Sequence, residues 1–169
     1  MILRPRTFLF LVAIIGLLQG CGFHLRKEAQ LPAAMQRVHI EIADLNNALG
    51  KDLSKALARS GAQVVENAEA GVAVLKIPVN TLSTDVLSVG GTARANEYAL
   101  RYHVEFSVQG GDGTVVVPKQ TIELSREFTF DATQALGVAS ETDLLSKELE
   151  RDMVQTILRR LEALGKIHP

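Results

Sequence analysis

The only cysteine of the chain, Cys21, stands at a position that predicts a covalent role for its thiol. It follows a cationic start with Arg4 and Arg6, an uncharged apolar run of 12 residues over 7–18, and the small residue Gly20. This is the three-part layout of a secretory signal peptide. Because a bilayer span needs about 20 apolar residues, the run is too short for a transmembrane helix. A single cysteine in an exported protein has no partner within the chain, and its position after the run explains why it is there.

The four residues that end with this cysteine, Leu18–Cys21, resemble the bacterial lipobox. In that motif lipid is attached to the cysteine thiol, and cleavage then occurs just before the cysteine. The resemblance implies cleavage between Gly20 and Cys21 and several acyl chains on Cys21, which together would anchor the protein lastingly, since one chain alone binds only marginally. Gln19 departs from the small or β-branched residue usual at its place. Gly22, rather than Asp, follows the cysteine. By resemblance to proteobacterial lipoproteins this implies sorting to the outer membrane, with the folded part facing the periplasm. The alternative for residues 1–21 is a buried N-terminal helix with an incidental cysteine.

The other residues of catalytic type form no recognisable constellation. The glycine-rich stretch Gly110–Gly113 lacks the Gly-Lys-Ser/Thr ending of a phosphate-binding loop and predicts a hairpin turn instead. The sequence contains no Gly-x-Ser-x-Gly elbow and no cysteine available as a nucleophile. No two histidines stand at the helical spacing of metal ligands: they are His24, His39, His103 and His168. The sequence therefore predicts a protein that is not an enzyme, with no catalytic residue, no metal site and no cofactor.

Length and charge limit the domain organisation and the partners. The chain of 169 residues carries 18 basic and 19 acidic residues. Without residues 1–20 it would have 149 residues and a net charge of −3, which is one ordinary domain. No nucleic-acid partner is expected, because such domains are basic overall, although a local basic patch for an anionic ligand is compatible with this composition. We predict a signal peptide over 1–20, a lipidated leader over 21–34 and a single periplasmic domain over 35–169.

The first half of the domain predicts a strand, a helix and a second strand. Apolar residues alternate over 38–42, which predicts a short half-buried strand. Asn46 or Asn47 can cap the helix that follows, and Gly61 ends it in a left-handed conformation. A second strand is expected over 72–82, with an edge or a break at Pro78, because proline cannot donate to a strand ladder.

The second half predicts two long strands and a long helix. Six apolar residues at period two over 98–108 give the clearest strand. After the glycine turn, a partner strand spans about 121–130, and Arg126 interrupts its apolar face. Ser140 and Asp143 stand at capping-box spacing before a helix that continues to Gly165.

These elements follow in the order β-α-β-β-β-α. Each strand has one polar face, so two amphipathic helices can cover a single side of the sheet. We therefore predict an α+β fold, a two-layer sandwich in which two helices pack on one face of a mostly antiparallel four-stranded sheet.

Four short stretches carry a resemblance to a known family. They are Cys21–Arg26, where an aromatic residue and Leu-Arg follow the cysteine; Leu31-Pro32; Asn96-Glu97-Tyr98 at the head of the long strand; and Phe128–Asp131 with Leu158–Leu161 in the helix that follows. Together they span the chain from Cys21 to about residue 164. In order and spacing they resemble the LptE family of outer-membrane lipopolysaccharide-assembly lipoproteins.

The resemblance implies two helices on a four-stranded sheet, and it implies partners. LptE-type proteins sit in the lumen of the β-barrel LptD, assist its assembly and help deliver lipopolysaccharide to the outer leaflet. They bind lipopolysaccharide, and basic residues near one end of the sheet are thought to meet its phosphates. By this resemblance Arg94, in the loop before the long strand, is the first candidate for lipopolysaccharide binding, followed by Arg101 and Lys147. The expected location is the outer membrane, through lipid on Cys21, with the domain facing the periplasm and the barrel lumen.

Two other functions are compatible with the sequence. The first is a free-standing periplasmic lipoprotein that binds a lipid or another ligand. The second is a cell-wall-modifying enzyme without a recognised motif, which would need a pocket lined by convergent acids. A barrel subunit should co-purify with a much larger β-barrel protein in a fixed ratio, whereas a solute binder should not.

Overall fold

Five strands and two helices make up the part of the chain that the structure describes. The computed structural model describes residues 31–44, 47–89, 95–129 and 135–165. The strands are β1 (Arg37–Ile42), β2 (Gln63–Val65), β3 (Ala73–Val89), β4 (Ala95–Gln109) and β5 (Val115–Thr129), and the helices are α1 (Ala48–Arg59) and α2 (Ala135–Gly165). The predicted signal peptide and most of the predicted leader lie outside the described residues, so the three predicted segment boundaries stay predictions.

The sheet is mixed and has the strand order β2-β1-β3-β4-β5. Strand β1 pairs in parallel with β2 and β3, whereas β3, β4 and β5 pair antiparallel. The predicted α+β class with two helices is confirmed, but the prediction of four mostly antiparallel strands is wrong. Strand β2 has three residues, too few to show a period of two in the sequence. The parallel pairs arise because α1 carries the chain back along the sheet before β2 begins.

The two ends of the sheet differ in what surrounds them. We call the end where β3 finishes and β4 begins the distal end, and the end that carries the turn between β4 and β5 the proximal end. Strand β1 finishes opposite Ile77, in the first third of β3. From there to the distal end, β3 has β4 on one side and a free edge on the other within the described residues. Pro78 lies at a register shift between Lys76 and Val79, so the predicted break is confirmed.

One face of the sheet and the facing sides of both helices form a single hydrophobic core. Alternate residues of β4 point into it, as the period of two predicts: Leu100, Tyr102, Val104, Phe106 and Val108. The helices contribute Leu49, Leu53, Ala56, Leu57, Leu149, Met153, Val154, Ile157, Leu158 and Leu161. The other face of the sheet carries polar residues, and we call it the open face.

The observed ends of α1 agree with the capping signals in the sequence, whereas the observed start of α2 does not. The Asn47 side chain accepts a hydrogen bond from the N–H of Gly50 at 2.7 Å, and Gly61 has φ of 88°, so both predicted ends of α1 are confirmed. Asn46 lies outside the described residues. Helix α2 already begins at Ala135, so the predicted start around Ser140 is wrong. A capping motif is only one contribution to a helix start, and neighbouring helix formers carry the helix past it.

Strand β5 begins at Val115, earlier than the predicted 121, and Phe130 lies outside the described residues. Arg126, which interrupts its apolar face, has a simple explanation in the structure. Its guanidinium donates to the carboxylate of Asp152 on α2, and both side chains are about half exposed. This ion pair therefore links β5, at the edge of the sheet, to α2. Such an exposed pair contributes at most about 1 kcal/mol to the stability of the fold.

The proximal turn depends on two glycines and one aspartate. The carboxylate of Asp112 accepts hydrogen bonds from the hydroxyl and the N–H of Thr114, which hold the pKa of Asp112 below its usual value. Gly113 has φ of 86°, in the left-handed region that favours glycine. Gly111 lies against the backbone of Gly71, whose N–H donates to its carbonyl at 3.3 Å. The predicted hairpin turn is confirmed.

Candidate functional site

Large apolar side chains are exposed at the distal end. Leu82, Val86 and Leu87 on β3 are 38%, 55% and 46% exposed, and Leu144 on α2 is 55% exposed. We call the three residues on β3 the distal apolar surface. Among the described residues, the other large exposed apolar side chain is Val115, at the proximal end. Monomeric proteins rarely cluster such side chains without a use, so this surface is a candidate for contact with a partner or a lipid.

The topology explains why this surface is bare. Leu82 stands opposite Tyr102, and Val86 stands opposite Tyr98, so both belong to the face that the helices cover elsewhere. Helix α1 returns toward the proximal end from the end of β1 and leaves the distal half of β3 without a helix above it. A register shift between Val86 and Ser88 leaves Leu87 as an extra residue in a bulge.

Two aromatic rings support the distal end from the neighbouring strands. Tyr98 of β4 and Phe128 of β5 stack with ring centroids 5.4 Å apart and planes inclined by 16°. Phe128 is buried and Tyr98 is half-buried. Further along β4, burial raises the pKa of the Tyr102 hydroxyl well above its usual value, with a smaller contribution from the charge of Glu150. The stacked rings of Tyr98 and Phe128 therefore lie on the strands next to β3, beside the distal apolar surface.

Arg101 lies on the open face, where two carboxylates already hold it. Its Nε is 2.6 Å from Oδ2 of Asp85, and its Nη1 donates to Oε1 of Glu123 at 3.0 Å. Hydrogen bonds to Glu123 first, and then to Asp85, raise the pKa of the guanidinium. A phosphate at this place would have to displace one carboxylate and lie beside the other. Arg101 is thus a poorer lipopolysaccharide candidate in the structure than in the sequence.

Lys147 lies on α2, on the other side of the sheet from Arg101. The structure does not bring these two predicted residues together. Arg94, Gly20 and Cys21 lie outside the described residues. Arg101 and Lys147 therefore do not form one site, and the role of Arg94 stays a prediction.

Between the helices, an open groove of about 790 Å³ has a basic lining that the predicted site does not include. Its lining residues are Asp52, Lys55, Ala58, Arg59, Arg151, Val154 and Gln155. We call it the inter-helix groove. The spacing of its basic residues on each helix is visible in the sequence, but the meeting of the two helices is not.

Glu150→Gln is expected to leave the fold slightly more stable at pH 7, by about 0.5 kcal/mol at most. Burial first, and then the charge of Asp52, raise the pKa of the Glu150 carboxyl, against an opposing effect of Lys147. A raised pKa means that the folded state favours the protonated carboxyl. That contribution is fully present below the unfolded pKa and is lost as pH rises through the folded pKa. Denaturant unfolding should therefore show the gain at pH 7 and its disappearance near pH 3; an equal difference at both pH values would contradict this.

The described residues contain no group of three or more histidine, cysteine, aspartate or glutamate side chains arranged for a metal ion. In the same part of the chain, no helix combines the length and the apolar character that crossing a membrane requires.

Two known proteins are similar to this chain in sequence. The chain is 27% identical over 160 residues to the LPS-assembly lipoprotein LptE of Photorhabdus laumondii, covering 94% of this chain and 87% of that protein. It is 25% identical over 163 residues to the LPS-assembly lipoprotein LptE of Yersinia pestis, covering 94% and 77%. Both matches extend through nearly the whole chain.

Solved structures show the same fold. The solution structure of a lipoprotein B from Nitrosomonas europaea matches with a TM-score of 0.71 at 31% identity, covering 86% of this chain and 93% of that one. The crystal structure of the rare lipoprotein B from Shewanella oneidensis matches with a TM-score of 0.65 at 27% identity, covering 75% and 94%. The family model for LptE, described as lipopolysaccharide-assembly, matches residues 35–161. Because this match covers well over half of the chain, the chain belongs to the LptE family of lipopolysaccharide-assembly proteins.

Proposed function

We propose that this chain is an outer-membrane lipoprotein that forms a complex with the β-barrel LptD as a plug, assists the assembly of that barrel and takes part in lipopolysaccharide transport to the outer leaflet. The observation that carries the proposal is the family match over residues 35–161, which includes every strand of the sheet. The anchor in this proposal is lipid on Cys21, after cleavage behind Gly20.

The two faces of the sheet suit a position inside a barrel. Barrel lumens are polar, so a plug needs a compact body with a polar surface. The open face provides one through ion pairs between neighbouring strands, such as Arg101 with Asp85 and Lys119 with Glu105 at 2.7 Å. The same features suit other periplasmic domains, so the family match has to carry the partner.

The distal end suits an amphiphile. Lipopolysaccharide combines acyl chains with phosphates, and in the sequence Arg94 stands between β3, which carries the distal apolar surface, and β4. Leu82 and Val86 offer contact to hydrocarbon, and Arg94 offers a charge for a phosphate. In this proposal Arg94 binds lipopolysaccharide, as predicted. Arg101 instead links the neighbouring strands through its ion pairs.

The test of the complex is extraction of the native protein in a mild detergent, followed by mass analysis of what accompanies it. A one-to-one complex with a much larger β-barrel protein supports the proposal. A protein that elutes alone, at the mass of its own lipidated chain, contradicts the plug. Mass spectrometry of the same sample tests the anchor, since lipid on Cys21 and the loss of residues 1–20 each change the mass by a known amount.

Val86→Asp is expected to weaken lipopolysaccharide binding by about tenfold with little change in fold stability. Val86 is more than half exposed, so its replacement should cost the fold less than about 0.5 kcal/mol. Loss of its apolar contact with an acyl chain should cost about 1.4 kcal/mol, which corresponds to tenfold. Val115→Asp is the matched control, because Val115 is 70% exposed at the proximal end. Equal loss of binding in both variants would remove the distal apolar surface from the proposal.

A second candidate function is a free-standing lipoprotein that binds a lipid or another ligand. The inter-helix groove is the observation that favours it, because its volume of about 790 Å³ lies within the usual range of ligand sites. The two functions differ in the extraction experiment, where only the first predicts a fixed ratio to a β-barrel.

A further inference from the structure

Two rows of basic residues run along the helices. On α1 the row is Lys51, Lys55 and Arg59, and on α2 it is Lys147 and Arg151. Residues four apart lie above one another on the same side of a helix. The two helices pack against each other, and members of both rows line the inter-helix groove. Lys55 and Arg59 therefore form one bank of the groove, and Arg151 forms the other.

These rows contain the basic side chains that the rest of the structure leaves without an acceptor. Most basic residues in the described part of the chain have an ion pair or a side-chain hydrogen bond: Arg37, Lys55, Lys76, Arg101, Lys119, Arg126, Arg159 and Arg160. Within the described residues, neither kind of contact is found for Lys51, Arg59, Lys147 and Arg151. All four belong to the rows.

The arrangement is unfavourable for the isolated helices. Like charges four residues apart each cost a helix about 0.2–0.5 kcal/mol. The helix dipole accounts for Arg59, which lies in the last turn of α1, but it disfavours Lys51 in the first turn. It also leaves the row on α2 unexplained. Neither the overall composition, with its excess of acidic residues, nor helix stability explains the rows. Water solvates exposed charges of this kind, and an anion bound from outside the chain would compensate them further.

Two carboxylates lie among these cations and limit the site. Asp52 binds Lys55 at 3.3 Å and lines the groove. Glu150 lies close enough to Asp52 and Lys147 for both charges to shift the pKa of its carboxyl. The groove lining contains three cations, Lys55, Arg59 and Arg151, against one carboxylate, Asp52, and this leaves the groove positive. Since Asp52 occupies Lys55, the side chains best placed for a new anion are Arg59 and Arg151, one on each bank.

We propose that the inter-helix groove binds the phosphate groups of an anionic lipid. Arginine suits phosphate because its guanidinium can donate two parallel hydrogen bonds to it. A groove of about 790 Å³ is far larger than one phosphate needs, and the nearly buried Val154 provides an apolar floor for the rest of a head group. This inference rests on the proposed function only in naming lipopolysaccharide as one such lipid, and it gives Lys147 a place beside Arg151 and away from Arg101.

The test compares binding by the full chain in neutral detergent to micelles that contain phosphatidylglycerol, phosphatidylcholine or lipopolysaccharide, and to inorganic pyrophosphate. Arg59→Glu/Arg151→Glu is expected to lose at least tenfold in affinity for phosphatidylglycerol, and less for lipopolysaccharide, which in the proposed function also binds at the distal end. The loss should shrink as salt is raised, because exposed charges are screened. Arg37→Glu/Arg159→Glu is the matched control, with the same change of charge at exposed arginines outside the groove. Its affinity should stay within about twofold of the unchanged chain.

Further outcomes separate the alternatives. Arg59→Lys/Arg151→Lys keeps the charges and should fold as the unchanged chain does, yet lose part of the affinity because the paired hydrogen bonds are gone. Equal lipid binding by the groove variant and its control would overturn the proposal, as would binding of pyrophosphate alone. Normal lipid binding with loss of a co-purifying β-barrel would overturn it in favour of an acidic protein surface. If no β-barrel ever co-purifies but the groove variant still loses phosphatidylglycerol, the proposed function fails while the groove stands.

Discussion

Gly111→Ala is expected to destabilise the fold by about 3 kcal/mol. A Cβ at this position would stand closer than 3.0 Å to backbone atoms of Gly71 and Val72. Backbone cannot rotate away as a side chain can, so either the proximal turn or the start of β3 has to shift. That shift would disturb the hydrogen bond from the Gly71 N–H to the Gly111 carbonyl. Denaturant unfolding of the variant should show the loss as a lower midpoint with an unchanged slope.

The matched control lies two residues away in the same turn. Gly113 has φ of 86°, and nothing lies within 4 Å of the Cβ that a side chain would add. Asparagine tolerates this left-handed conformation better than other residues do. Gly113→Asn should therefore cost no more than about 1 kcal/mol. Equal costs at the two positions would show that close packing against Gly71 does not make Gly111 necessary.

Phe106→Ala is expected to cost about 4 kcal/mol of unfolding free energy, because it leaves a large cavity in the core. Phe106 lies on β4, the strand between β3 and β5, and is fully buried. Since domains of this kind are stable by about 5–15 kcal/mol, the variant should be marginally folded at 37 °C. Val115→Ala, at a side chain that is 70% exposed, should change the same quantity by less than about 0.5 kcal/mol. A loss below about 1.5 kcal/mol at Phe106 would mean that the core closes around the gap.

Local patterns predicted the elements whose causes are local. The alternation along β4 needs only one buried face, and that face is found as predicted. Asn47 and Gly61 act on α1 through their own backbone geometry, so their roles are readable from residue type and position. The short β2 and the parallel pairs depend on where α1 returns the chain, which no period shows.

The candidate site was less predictable, because charge partners come together only in the folded sheet. In the sequence Arg101 is a basic residue within the predicted strand over 98–108. Its neutralisation by Asp85 and Glu123 depends on the register of three strands. The basic residues of α1 are different, because the regular spacing of Lys51, Lys55 and Arg59 is visible in the sequence. That this row borders a groove becomes apparent only in the structure, where α2 brings Arg151 to the same groove.

The length of the antiparallel strands has a consequence for distance. Strand β5, with 15 residues at about 3.3 Å each, extends roughly 50 Å, whereas the hydrocarbon layer of a bilayer is about 30 Å thick. The distal ends of these strands and the proximal turn are thus farther apart than a membrane is thick. In a barrel whose axis they follow, the strands would place the two ends at different depths. A molecule bound at one end would have to be released and bound again, or transferred by a separate partner, to reach the other end.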